Sequence, residues 1–171
     1  RGVDVVGDLG GVDLERESYI HLIKLVEDRV PAVGELLEPR GDIRGALSAI
    51  ESLPATDRGA YLFALRHAWL LYLAGRHDDS IAAYRRAASA APRAIEPRVG
   101  ELLPLMALRR WQETEQRARE VLRLDADNYL ASRRLALALY QLGRFDDARG
   151  VYQQVSERYP GDLEMVSGAA W

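Results

Sequence analysis

Apolar and small residues recur along this chain at a spacing of 34 residues. From Gly75, one step of 34 reaches Arg109 and a second reaches Gly143. We call such a set of positions a column, and five further columns keep the same spacing: His77, Trp111 and Phe145; Ser80, Thr114 and Ala148; Tyr84, Ala118 and Tyr152; Ala87, Val121 and Val155; Pro92, Ala126 and Pro160. Because self-similarity at a fixed period is typical of repeat architectures, the chain is predicted to consist of stacked, similar units.

Each unit contains two stretches with the apolar period of a helix. The pattern predicts first helices near 61–74, 97–109 and 129–142, and second helices near 77–90, 111–124 and 145–158. Acidic residues fall in the first turn of each second helix, where they meet unpaired backbone N–H groups: Asp78, Asp79, Glu113, Asp146 and Asp147. The predicted fold class is therefore all-α, an α-solenoid of antiparallel helix pairs.

The last full unit resembles the tetratricopeptide repeat (TPR) family. The residues that carry the resemblance stand where the family places its packing residues, its inter-helix turn and its closing proline: Leu135, Ala136, Leu139, Tyr140, Gly143, Phe145, Ala148, Tyr152 and Pro160. The similarity is strong over 61–162 and weaker over 27–60. It implies a right-handed superhelix and a module that binds other proteins.

The same pattern divides the chain into segments. They are a loose tail (1–12), an N-terminal helix near 13–29 with a degenerate repeat (13–60), three repeats (61–94, 95–128 and 129–162) and the start of a truncated repeat (163–171). Because the last segment is apolar where a finished array has a polar cap, we expect the native chain to continue past Trp171. In the middle repeat, Leu102, Pro104 and Arg109 depart from their columns, which predicts a kink near Pro104.

Composition narrows the classes of partner. The net charge of -3 offers no concentrated positive face for nucleic acid, so we expect none to bind. Without cysteine the chain has no disulfide and no thiolate site, and its compartment stays open, with the cytoplasm slightly favoured over the periplasm. No apolar run approaches the roughly 20 residues of a membrane span, so we expect a soluble chain. Abundant alanine and a single lysine, Lys24, favour a bacterial source.

Candidate catalytic and metal-binding residues are few. The histidines His21, His67 and His77 lack any zinc-protease spacing, and the last two fall in packing columns. The segment 125–128 resembles a calcium loop, but the required glycine and terminal glutamate are missing, so a capped turn is the better interpretation. A glycine-rich stretch at 5–11 resembles a phosphate loop without the rest of a nucleotide fold. We predict no enzyme activity, no metal and no cofactor.

The resemblance implies that the first helices line a concave face. Three columns then point inward, and we call their nine residues the apolar stripe: Leu65, Val99 and Arg133; Trp69, Leu103 and Leu137; Tyr72, Met106 and Tyr140. Trp171 continues the second column. The family's binders of chaperone tails place lysine, asparagine and arginine here to clamp a carboxylate. Only Arg133 fits that chemistry, so a carboxylate clamp is not expected.

Two interpretations of the apolar stripe stay open. It is either intramolecular core, covered by the helix at 13–29 or by further repeats, or an exposed groove for a partner, since exposed apolar patches mark interaction sites. The leading hypothesis is a non-enzymatic scaffold that binds a peptide or helix of a partner protein. The alternatives are the repeat domain of a larger multidomain enzyme and a self-assembly module that joins copies of this chain.

Overall fold

The computed structural model describes residues 42–58 and 61–170, and every regular element in these ranges is a helix. The chain divides into two compact units, residues 1–63 and residues 64–171. The predicted tail (1–12), the predicted helix at 13–29 with His21, and Trp171 lie outside the described residues. The all-α fold class predicted from the sequence is confirmed.

In the first unit, two short helices are described. Helix α1 spans Ile43–Ser52 and helix α2 spans Ala55–Arg58. Asp42 begins α1 as its N-cap, since its side chain accepts a hydrogen bond from the Gly45 backbone N–H at 2.8 Å. Ala46 and Ile50, four residues apart and therefore on one face of the helix, are buried. This helix is the one predicted for the degenerate repeat.

Seven further helices follow the predicted pairing. They are α3 (Tyr61–Leu73), α4 (His77–Ala90), α5 (Glu96–Ala107), α6 (Trp111–Leu124), α7 (Tyr129–Gln141), α8 (Phe145–Arg158) and α9 (Leu163–Ala169). The second helices α4, α6 and α8 begin and end at the residues that the sequence predicts. From α4 to α9 each helix packs on the next along the chain, and the first helices α5 and α7 also touch.

Small residues at repeated positions let the paired helices approach closely. Ser80, Thr114 and Ala148 form one column and are all buried. The Ser80 hydroxyl donates to the Ala68 carbonyl at 2.7 Å, and the Thr114 hydroxyl donates to the Arg110 carbonyl at 2.9 Å, so neither polar group is left unpaired. One apolar cluster draws on α5 to α9: Leu102, Ala118, Leu135, Ala136, Leu139, Ala148, Tyr152, Val155 and Met165.

The turn inside each helix pair has one conformation in all three repeats. Gly75 and Gly143 have φ angles of 76° and 75°, and Arg109 adopts 56° in the same column. In each turn, the N–H of the following arginine bonds to a carbonyl five residues back, as in a Schellman motif: Arg76 to Leu71, Arg110 to Leu105 and Arg144 to Leu139, each at 2.9 Å. Arg109 therefore holds a left-handed conformation that favours glycine.

The middle repeat keeps its helix despite its unusual residues. Helix α5 continues through Pro104 to Ala107, and Leu102 is fully buried in the column of Ala68 and Ala136. The predicted kink near Pro104 stays a prediction. The helix also approaches its neighbour closely at Gly100, where an added Cβ would lie 2.3 Å from the ring of Tyr84. Gly168 repeats this arrangement against Tyr152, at 2.7 Å.

Candidate functional site

Seven residues of the apolar stripe lie partly exposed on three successive first helices. They are Leu65, Trp69 and Tyr72 on α3, Leu103 and Met106 on α5, and Leu137 and Tyr140 on α7. Steps of four and three residues keep each set on one helix face. The helices α5 and α7, which carry the last two sets, are in contact.

Val99 does not belong to this surface, and its inclusion in the apolar stripe is wrong. Its side chain is only 8% exposed and packs with Val121 of α6 and Ala131 of α7. Its carbonyl accepts a hydrogen bond from the Arg134 guanidinium at 2.7 Å. Because Ala131 is small, α7 packs closely against α5 at this point and covers the valine.

Arg133 lies on the exposed side of α7, but its charge is already paired. Its guanidinium donates to the Glu164 carboxylate of α9 in an ion pair. That hydrogen bond, which outweighs partial burial, raises the pKa of Arg133 above its ordinary value. A partner's carboxylate would therefore compete with Glu164 for this group.

Aromatic rings extend the stripe toward the turns inside the helix pairs. The rings of Trp69 and Tyr72 have centroids 5.5 Å apart, and the ring of His77 lies tilted against that of Tyr72 at the same separation. Tyr140 meets Phe145 edge to face at 5.3 Å, and Phe145 is 60% exposed. The sequence places His77 and Phe145 in a packing column, which misses the exposure of Phe145. The position of Phe145 at the start of α8, directly after the turn that follows α7, could have indicated this exposure.

A polar cluster lies on another side of α5. Glu101, in the column of His67 and Leu135, is 3% exposed, and its carboxylate accepts a hydrogen bond from Arg85 Nε at 2.7 Å. Arg117 Nε of α6 lies 3.5 Å from the same oxygen. Partial burial, the largest single effect, would lower the pKa of Arg85, but its interactions with Glu101 and Glu113 together outweigh burial and raise that pKa. The sequence pattern did not lead to a prediction of this cluster. The presence of the acidic Glu101 in the column of the apolar Leu135 could have indicated it.

The segment 125–128 has a structural role, and the glycine-rich stretch at 5–11 lies outside the described residues. Asn128 caps α7, because its side chain accepts from the Ala131 N–H at 2.9 Å while its amide donates to Asp125 at 2.9 Å, which confirms the capped turn. Residues 42–58 and 61–170 contain no group of three or more acidic, histidine or cysteine side chains arranged to hold a metal ion. Within the same ranges, no helix combines the length and apolar character needed to cross a bilayer.

Sequence comparison gives two matches to family models, both described as tetratricopeptide repeat. One covers residues 34–95 and the other covers residues 105–170. No curated protein sequence is significantly similar to this chain.

Solved structures of the same architecture are similar at low sequence identity. The MamA protein gives a TM-score of 0.72 at 16% identity, covering 86% of this chain and 79% of that one. The Arabidopsis OM64 TPR domain gives 0.61 at 15% identity, covering 65% of this chain and 92% of that one. The second TPR domain of human RPAP3, in complex with the HSP70 peptide SGPTIEEVD, gives 0.59 at 18% identity, covering 63% and 89%. Identities this low support the fold alone.

Proposed function

Because the chain belongs to the tetratricopeptide repeat family, whose repeats are generally non-catalytic interaction modules, we propose that its second unit is a scaffold for a partner protein. The proposed contact surface is the apolar stripe without Val99. The main support for the proposal is a difference in exposure. Seven stripe residues on three consecutive first helices are partly exposed, whereas Ala68, Leu102 and Ala136 on the same helices are buried. A large exposed apolar surface is typical of an interaction site.

The proposed partner segment is amphipathic and binds mainly through its apolar side. Trp69, Tyr72 and Tyr140 are large, partly exposed aromatic residues, and such residues often contribute about 2 kcal/mol or more to binding when a partner covers them. Arg133, the one charged residue of the stripe, is neutralised by Glu164. Binding should therefore depend little on salt, since ionic strength screens charge pairs and leaves apolar burial largely unchanged.

This surface favours a partner unlike the HSP70 peptide bound to human RPAP3. That peptide, SGPTIEEVD, ends in three acidic residues among its last four. Binding of an acidic tail requires cationic side chains that are free to pair with it. The stripe has one arginine, Arg133, and this arginine is already paired with Glu164. An apolar partner face, presented on a helix with anchors three and four residues apart, is complementary to the stripe.

Selection from a peptide library displayed on phage tests the proposal, because it requires no candidate partner. The selected peptides should carry apolar residues at helical spacing. Their affinity should fall at least tenfold for the double variant Trp69→Ala, Tyr140→Ala, which removes two anchors worth together more than the 1.4 kcal/mol of a tenfold change.

Leu124→Ala is the matched control. It removes an exposed apolar side chain, 56% exposed, at the end of α6 and outside the stripe, so binding should be unchanged. Helical content and melting temperature are measured for all variants. Selected peptides without apolar periodicity, or equal binding to the double variant and the control, would contradict the proposal. Light scattering over a range of concentrations tests whether a second copy of the chain occupies the surface instead.

A further inference from the structure

A polar cavity of about 430 Å³ lies among α4, α5 and α6, on the side of α5 away from the apolar stripe. Glu101 and Arg98 lie on that side because, at 100° per residue, both are more than 90° around the helix from Leu103. The lining residues come from the three helices and the loop after α4: Arg85, Ala88, Ser89, Pro92, Arg98, Glu101, Arg117 and Glu120. Every one of them belongs to the second unit.

The repeat pattern is broken where this cavity forms. In the last repeat the column of Glu101 holds Leu135, which is buried in the apolar cluster. A buried carboxylate is costly unless it is paired, and here two arginines from the flanking helices converge on it, Arg85 at 2.7 Å and Arg117 at 3.5 Å. Such a network holds the guanidinium groups of successive second helices in fixed positions. A charged residue at a position where the repeat pattern calls for an apolar one is the kind of departure that is often found at functional sites.

The anions of the cavity are already bonded to two of its three arginines. Glu101 bonds to Arg85, and Glu120 accepts from Arg117 at 2.7 Å. Partial burial, the largest single effect, would raise the pKa of Glu120, but the interactions with Arg117, Gln116 and Arg123 together outweigh it and lower the pKa, so the carboxylate stays ionised and paired at neutral pH.

Among the residues that the structure describes, the third arginine, Arg98, has no anionic partner. The Arg98 guanidinium donates to the Ala94 carbonyl at 2.5 Å and, within the described ranges, has no ion pair with a carboxylate. The lining contains three arginines and two glutamates, and Arg85 also donates to Glu113 just outside the lining at 3.3 Å, so Arg98 is the arginine left for a ligand. A guanidinium has five N–H donors, so most of those on Arg98 are available to a ligand.

We propose that this cavity binds a singly charged carboxylate through Arg98, with Ala88 and Pro92 contacting the carbon atoms next to it. A guanidinium donates two parallel hydrogen bonds to a carboxylate or a phosphate. The nearby Glu101 and Glu120 repel a dianion more than a monoanion, and Arg98, the lining arginine without a carboxylate partner among the described residues, matches one carboxylate. Two sources share this chemistry, an acidic side chain of a protein segment and a free small carboxylic acid.

Nitrogen NMR of the arginine Nε groups in the full chain tests the proposal with named probes. Sodium acetate stands for the free acid, the capped peptide acetyl-Ala-Glu-Ala-amide stands for the acidic side chain, and inorganic phosphate at about pH 8.5, where it is mainly the dianion, stands for the dianion. The Arg98 signal should shift and saturate with acetate or with the peptide. Saturation by the peptide at lower concentration identifies a protein segment as the source, and saturation by acetate alone identifies a free acid.

Three variants complete the experiment. Arg98→Gln should weaken binding about tenfold or more, as expected for loss of a charged hydrogen-bond donor. Arg98→Lys keeps the charge without the planar fork and should give an intermediate affinity. Arg86→Gln, which changes an exposed arginine of α4 outside the cavity lining, should bind like the wild type. No saturable shift, equal binding by Arg98→Gln, or tighter binding of phosphate than of both carboxylates would overturn the proposal.

Discussion

Gly100→Ala is predicted to destabilise the protein, although alanine favours helices more than glycine does. In a helix the substitution alone would stabilise by about 1 kcal/mol. At Gly100, however, the new Cβ would lie 2.3 Å from Cε1 and 2.6 Å from Cζ of Tyr84, a ring that is 3% exposed and cannot move into solvent. Overpacking of this kind costs about 1–3 kcal/mol, and contacts this short belong at the upper end. The free energy of unfolding should therefore fall by about 1–2 kcal/mol.

The matched control is Gly150→Ala in α8, where an added Cβ meets nothing within 4 Å. Here only the helical preference acts, so stability should rise by up to about 1 kcal/mol. Urea unfolding followed by circular dichroism measures both variants. In a Tyr84→Ala background the clash disappears, and Gly100→Ala should then stabilise. If Gly100→Ala proves as stable as Gly150→Ala in the wild-type background, the packing described between α4 and α5 is wrong.

Three further predictions concern stability. Arg109→Gly should raise the free energy of unfolding by about 1 kcal/mol, because it relieves a left-handed conformation, and an unchanged urea midpoint would contradict this. Ala148→Arg should lower the melting temperature strongly, since the site is 1% exposed, while Arg110→Ala, which loses exposed ion pairs, should change stability by less than about 1 kcal/mol. The hydrogen bond from Tyr129 lowers the pKa of Asp162, the N-cap of α9, so its charge stabilises the fold above about pH 4 and this contribution is lost as the pH falls through the lowered pKa. The difference in melting temperature between wild type and Asp162→Asn should accordingly shrink below that pH, and a constant difference would refute the assignment.

The helix pairs could be predicted from the sequence because local and tertiary signals agree in each repeat. Gly75 and Gly143 mark the turns, acidic residues mark the starts of second helices, and the apolar period marks their buried faces. Arg109 shows that tertiary packing imposes the same turn even without glycine, since its φ of 56° matches the glycine columns. Because the same columns recur in three repeats, the turn and helix positions of a repeat with a weak pattern could be predicted from the other two.

The candidate site was harder to predict than the helices. The column of a residue predicts the helix face on which its side chain lies, but it does not predict how deeply neighbouring helices bury that side chain. Val99 shares its column with Leu65 and Arg133, yet the close approach of α7 at Ala131 buries it. Glu101 is the opposite case, because its column predicts an apolar residue and only the positions of Arg85 and Arg117 on neighbouring helices explain how its charge is accommodated. Such pairings depend on distances between helices, which periodicity does not encode.

Methyl NMR during titration with a selected amphipathic peptide shows directly whether the apolar stripe binds a partner. The methyl signals of Leu65, Leu103 and Leu137, on three successive first helices, should shift together and saturate at one peptide concentration. The Leu124 signal, at the exposed end of α6, should stay unchanged in the same titration. Shifts confined to Leu124 and other residues of the second helices, with the three stripe leucines unaffected, would contradict the proposal that the apolar stripe is the binding surface.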